Sequence, residues 1–189
     1  TIVNIQQINH IPDIEYVSFY PQTPFEEQIM INGKPNLPAM ITDLTLSKER
    51  NNLIIEIINR LYKESRKILV LTDRRNHAEY LYSKLLNLSA GLYLGSMKIN
   101  DLNDTNNKKI VIATYQMASE GYDNPELDTL ILTTPKSDVE QAVGRILRQQ
   151  NINSPLVIDI NDHHSIFNSM NYKRYKFYKK KGFIKEKKL

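Results

Sequence analysis

Cysteine is absent from the 189 residues, which excludes disulfides, thiolate zinc sites and cysteine nucleophiles and points to a reducing, intracellular compartment. Long apolar runs are missing as well. No stretch approaches the roughly 18 consecutive apolar residues of a membrane-spanning helix, and Thr1 to Ile11 lack the charged-then-apolar order of a secretory signal. There is no internal repeat. His10, His77, His163 and His164 do not share a metal-binding spacing, and no metal site is expected from them. A glycine-rich phosphate loop is also wanting: Asn32-Gly33-Lys34-Pro35 lacks the first glycine and the hydroxyl, and Pro35 removes a backbone N–H that such a loop needs. No Asp-Glu pair suited to Mg²⁺ follows an apolar run. The chain does not begin with Met and is read as a fragment of a longer protein.

What is present supports one globular core, with 41% hydrophobic residues. The net charge of +4 is unevenly spread. Residues 172–189 hold nine lysines and arginines against the single acid Glu186, leaving 16 basic and 20 acidic side chains in residues 1–171. Tyr172, Tyr175, Phe177, Tyr178 and Phe183 are interleaved with that charge. Such a tail suits phosphate attraction with base stacking, and equally a solvated helix whose aromatics dock on the body.

From Lys67 onward, short apolar runs alternate with helical patterns: Ile68–Leu71, Leu92–Leu94, Ile110–Ala113, Leu130–Thr133 and Leu156–Ile160. Their nearly unbroken apolar character predicts parallel strands covered by helices on both faces. Leu53, Ile54, Ile57, Ile58 and Leu61 form a helical stripe within 48–64, with Ser47 as N-cap. Asn76 with Glu79, and Ser137 with Glu140, have capping-box spacing. Residues 1–46 are punctuated by five prolines, and only Ile2–Ile8 and Tyr16–Phe19 read as strands there. The organisation expected is an N-terminal extension or connection over 1–46, an open α/β domain over 47–162 and a basic helical tail over 163–189.

The segment Gln141-Ala-Val-Gly-Arg145-Ile-Leu-Arg148 carries the most chemistry. At helical spacing, Gln141, Arg145 and Arg148 share one face, with Val143, Ile146 and Leu147 opposite. Two guanidiniums presented together suit the charge that spreads over a transferring phosphoryl group; an amphipathic helix with solvated arginines has the same spacing. Asp73, Gly95, Thr114 and Thr134 each follow an apolar run, placing them at the carboxyl ends of strands, where open α/β sheets bind ligands.

These phrases resemble a known family. Gln141, Gly144, Arg145 and Arg148 match the Q-x-x-G-R-x-x-R form of motif VI of superfamily 2 helicases, and Ala113 to Asp123 is similar to motif V. Ile68 to Arg74 resembles motif IV, and Tyr93 to Met97 the motif that follows it. The phrases Arg74-x-x-His77, Gly95-x-Met-Lys98 and Glu120-Gly-x-Asp123 are similar to those of the transcript-release helicases of poxviruses and African swine fever virus and of the UvsW and XPB group. The resemblance spans about residues 45–150 and implies the C-terminal RecA-like lobe of an ATP-dependent helicase or translocase. It implies that Arg145 and Arg148, with Gln141, face the γ-phosphate; that Gly121 and Asp123 lie beside the nucleotide; and that Thr72, Arg74, Gly95, Ser96, Thr114 and Tyr115 contact the tracked strand. ATP and Mg²⁺ would be held mainly by a preceding lobe, so this chain alone is expected to be inactive. A viral relative would work in the host cytoplasm, with the transcription machinery as a partner. Two departures stand out. Seven positions separate Thr114 from Gly121, one more than in many relatives, leaving open whether Thr114, Tyr115 or Gln116 meets phosphate; and Ala142 stands where many relatives have Arg. The alternatives are an ATP-independent nucleic-acid-binding module and an unrelated doubly wound enzyme such as a sugar-nucleotide transferase.

Overall fold

The computed structural model describes residues 11–21, 32–120, 122–147 and 153–184. Its centre is a six-stranded sheet in the order β1-β6-β5-β2-β4-β3, built from β1 (Asp13–Phe19), β2 (Ile68–Thr72), β3 (Ala90–Tyr93), β4 (Ile110–Thr114), β5 (Thr129–Leu132) and β6 (Leu156–Asp162). Every pairing is parallel. The helices are α1 (Leu37–Leu46), α2 (Lys48–Lys63), α3 (Arg75–Ser83), α4 (Ile99–Asn106), α5 (Tyr115–Ser119), α6 (Glu140–Gly144) and α7 (Phe167–Lys180).

The pleat explains why the strands read as continuous apolar runs. Ile68 and Val70 of β2, Ile110 and Ile112 of β4, and Ile158 of β6 point to one face, where α2 and α3 supply Ile54, Ile58, Leu61, Ala78 and Leu81. Leu69, Leu71, Val111, Ala113 and Val157 point to the other, against Ala118, Val143 and Tyr178 of α5, α6 and α7. Both faces of the inner strands are therefore dry, as a parallel sheet requires.

Ser47 caps α2 by accepting from the Arg50 N–H at 3.3 Å, as the stripe predicts. The two capping boxes do not form. α3 begins at Arg75 with no side-chain cap, and Glu79 instead accepts from Arg75 at 3.0 Å, one helical turn apart. α6 begins at Glu140, whose N–H is taken by Asp138 and not by Ser137.

Within residues 1–46, β1 covers the Tyr16–Phe19 run and extends it back to Asp13, pairing along β6. The proline-rich stretch also contains a helix the spacing does not suggest. In α1 the side chain of Asn36 accepts from the Ala39 N–H and Pro38 occupies the first turn, where a proline's missing N–H has no intrahelical partner to lose. Met40, Ile41 and Leu44 of α1 then pack on Phe167 and Met170 of α7. The Ile2–Ile8 run lies outside the described residues.

Candidate nucleotide and nucleic-acid face

The carboxyl ends of the strands are stitched together before any ligand is considered. At the β2 end, the Asp73 N–H donates to Thr134 Oγ1 at 2.8 Å and Thr133 Oγ1 donates to the Leu71 carbonyl at 2.6 Å, tying β2 to β5. Arg50, fully buried, forks onto both carboxylate oxygens of Asp162 at 2.7 and 2.8 Å and donates to the Thr133 carbonyl at 2.6 Å. One guanidinium thereby locks the ends of β5 and β6. A buried charge of this kind is tolerable only because partners meet its donors.

Thr72 and His77 form a second buried unit. Asn51 donates through its amide nitrogen to the Thr45 carbonyl, so its oxygen faces His77 Nε2 at 2.9 Å and must accept. That fixes the ring as the Nε2–H tautomer, leaving Nδ1 to accept from the Thr72 hydroxyl at 2.9 Å. The Thr72 oxygen accepts in turn from the Arg74 N–H at 3.3 Å. Burial, aided by the charge of Arg50, lowers the His77 pKa to about 3, so the ring is neutral in the fold but titrates near 6.5 when unfolded. The unfolded state therefore binds the extra proton below about pH 6.5, and stability is lost as pH falls from there toward the folded value, approaching about 1.4 kcal/mol per pH unit for this group. Urea denaturation of wild type and His77→Gln across that interval is expected to show the difference: the variant loses one proton's worth of the slope. Equal slopes would mean that His77 is not held neutral.

The expected strand-contacting residues are thus placed unequally. Thr72 is fully buried, and Tyr115, 8% exposed, donates its hydroxyl to the Thr134 carbonyl at 2.9 Å. Burial raises the Tyr115 pKa, so that donor is kept. Both side chains serve the interior, which corrects the expectation that they face a bound strand; only their backbone lies at the strand ends. Arg74 is half-buried and spans to α1, donating to Thr42 Oγ1 at 3.2 Å and the Pro38 carbonyl at 2.9 Å and pairing with Asp73. Thr114 caps α5 by accepting from the Met117 N–H at 3.3 Å. At the β3 end, Arg75 donates to the Gly95 carbonyl at 2.9 Å and to Ser96 Oγ at 3.3 Å. The left-handed backbone there belongs to Ser96, at φ 65°, and not to Gly95.

On the other side of β2 lies an open cleft of about 400 Å³, lined by Asp73, Gln116, Ser119, Lys136, Asp138 and Gln141 among others. The Lys136 ammonium sits 5.2 Å from the centre of the Tyr115 ring. Gln141 and Arg145 converge here, though the helix expected through Arg148 ends at Gly144. Arg145, Ile146 and Leu147 continue with bonds to the carbonyls three residues back, a tightening that turns Arg145 inward. Its guanidinium, 7% exposed in the residue as a whole, donates to the Tyr122 carbonyl and, at 3.5 Å, to that of Ser119. Gln141 Nε2 donates to the same Ser119 carbonyl at 3.3 Å. Arg145 is therefore not a free arginine on an exposed face; it clips the end of α5 to α6, with Nε buried and unpartnered. Asp123 is exposed beside this junction. Gly121 and Arg148 lie outside the described residues.

Sequence reasoning missed Arg50, Arg75 and Lys136. The strand-end rule that found Thr134 could have found Lys136, two residues further on; Arg50 gave no signal, since an arginine in a first helical turn reads as solvated.

A parallel sheet with its polar loops gathered at one edge and a short arginine helix clipped to the preceding loop is the RecA-like lobe of helicases. The chain belongs to the helicase conserved C-terminal domain family, whose model matches residues 49–150. Among solved structures it resembles T4 UvsW, with a TM-score of 0.62 at 20% identity over 78% of this chain and 35% of that one. It also resembles the C-terminal domain of the DEAD-box protein Dbp5, with a TM-score of 0.57 at 16% identity over 74% and 82%. By sequence it is 40% identical over 76% of its length to a protein of Acanthamoeba polyphaga mimivirus whose name describes an ATP-dependent RNA helicase, covering 30% of that protein. A transcript termination protein of Yaba monkey tumor virus is 25% identical over 78% of this chain and 35% of its own length. The chain thus spans about a third of these relatives.

Proposed function

We propose that this chain is the second lobe of an ATP-dependent nucleic-acid motor, working with a preceding lobe that carries the phosphate loop. The observation that supports it most directly is the convergence of Gln141 and Arg145 on the Ser119 carbonyl, which ties α6 and the turn after it to the end of α5. In this reading Arg148 reaches the γ-phosphate, Gln141 borders it, and Arg145 sets the position of both from below. Gly121 and Asp123 adjoin the nucleotide. ATP and Mg²⁺ are assigned mainly to the preceding lobe, with its phosphate loop. The strand would be gripped at the carboxyl ends of the strands by exposed Ser96 and half-buried Gly95 and Thr114, with Arg74 and the backbone of Thr72 and Tyr115 behind them. Residues 47–162 form the motor lobe proper in this scheme, with 1–46 and 163–189 as additions to it. The names of the viral relatives favour a role in viral transcription.

The test is ATP turnover with and without single-stranded DNA or RNA, by this chain and by the longer protein that contains it. Strand-stimulated turnover confined to the longer protein is expected. Turnover by the chain alone would overturn the two-lobe reading, and strand binding with no turnover in either would favour an ATP-independent binding module.

A further inference from the structure

The basic tail is only half explained by the core. In α7, Phe167, Met170, Arg174 and Tyr178 are buried, a stripe at helical spacing that fixes one face on the sheet. Arg174 donates to both oxygens of Asp159 at 2.9 Å and to the Lys136 carbonyl at 2.8 Å, and Tyr178 donates to Asp159 at 2.8 Å. Past the end of α7, Lys181 pairs with Glu140 at the start of α6. The helix is rigidly seated and adjoins the arginine helix.

Its outer face is different in kind. Tyr172 and Tyr175 are 58% and 42% exposed, with rings 6.4 Å apart and only 17° from parallel. Lys176 sits 5.1 Å from the Tyr172 ring centre, and Lys173 and Lys180 are exposed as well. Docking on the core would have turned the rings inward, as it does for Tyr178. Held out together among lysines, they offer flat stacking surfaces at little further entropic cost.

We propose that the outer face of α7 is an accessory binding surface for single-stranded nucleic acid, separate from the strand-end loops, with Tyr172 and Tyr175 stacking on unpaired bases and Lys173, Lys176 and Lys180 meeting the phosphates. Unpaired bases are the ligand that uses both features: a duplex hides its base faces, and an acidic peptide would leave the rings idle. A lipid surface fits poorly, because the apolar residues Phe167 and Met170 of α7 are on its buried side. The pairing of Lys181 with Glu140 ties the end of α7 to the start of α6.

The experiment is equilibrium binding of labelled oligouridine and oligothymidine, about 20 nucleotides long, to the 189-residue chain. ATP is omitted, so the outcome is independent of the motor reading. The Tyr172→Ala/Tyr175→Ala variant is expected to bind about tenfold or more weakly, whereas Tyr172→Phe/Tyr175→Phe stays within about twofold of wild type because stacking survives. Reversing Lys173, Lys176 and Lys180 to Glu should flatten the slope of log affinity against log salt by about 2 or more. The ratio of the two oligonucleotide affinities tells RNA from DNA preference. An alanine variant within about twofold of wild type on both strands overturns the proposal. So does equal sensitivity to the variant in duplex binding, or unchanged strand binding with lost binding to phosphatidylserine vesicles.

Discussion

Arg148→Ala in the intact motor is expected to lower strand-stimulated ATP turnover by about 10³-fold or more, the largest loss of any single change considered, because a guanidinium that meets the γ-phosphate acts mainly in the transition state. The loss should fall on kcat with KM for ATP little altered, and Arg148→Lys should recover little, since an ammonium lacks the planar fork. Arg145→Ala is expected to look different. Arg145 is buried and spends its donors on the carbonyls of Ser119 and Tyr122, so its removal should destabilise the chain itself by about 1.5–3 kcal/mol for each charged hydrogen bond lost and impair turnover through misplacement of α6. Thermal melts of the isolated chain separate the two: Arg145→Ala melts early, Arg148→Ala does not. Turnover unchanged in Arg148→Ala would remove the phosphate-facing role from this helix.

The parallel sheet is legible in the sequence because burial on both faces leaves almost no polar residue in a strand, so the runs at Ile68, Ile110, Leu130 and Leu156 stand out. The edge strand β1 is less visible, since it carries Asp13 and Glu15 and lacks the unbroken apolar character of the inner strands. The capping boxes do not form because local partners intervene: Glu79 pairs with Arg75 one turn away in the same helix, and the Glu140 N–H donates to Asp138. In the candidate site, the sequence places Asp73, Thr114 and Thr134 at the carboxyl ends of strands, as the structure does, but does not give the direction of each side chain. Thr72 continues the alternation of Ile68 and Val70, and the pleat turns it inward; Tyr115 instead opens α5, and its hydroxyl reaches the Thr134 carbonyl from there. Arg145 escapes any such rule, because it depends on the helix tightening after Gly144. Arg174 was counted with the basic tail although it falls in the apolar stripe of Phe167, Met170 and Tyr178, and Asp159 interrupts an otherwise apolar strand. A charge in each of two buried stripes is a signal that they meet.

That meeting makes the second large prediction. Arg174 and Asp159 are 1% and 0% exposed, and burial together with Asp159 raises the Tyr178 pKa so that its phenol remains a donor to the same carboxylate. Arg174→Met removes one partner and leaves Asp159 charged in a dry interior with Tyr178 as its only remaining side-chain donor among the described residues, which should cost about 3–5 kcal/mol, a large part of the ~5–15 kcal/mol that a domain has in total. Asp159→Leu should cost a similar amount by stranding the guanidinium. The double variant Arg174→Met/Asp159→Leu is expected to regain most of the loss, because two well-packed apolar groups carry no desolvation debt. Urea midpoints of the four proteins measure the coupling. Additive losses would mean that α7 is held by its apolar stripe alone, and that the ion pair merely fills space. Strong coupling would mean that the seat of α7, and with it the Lys136 carbonyl at the lip of the cleft, depends on one buried carboxylate.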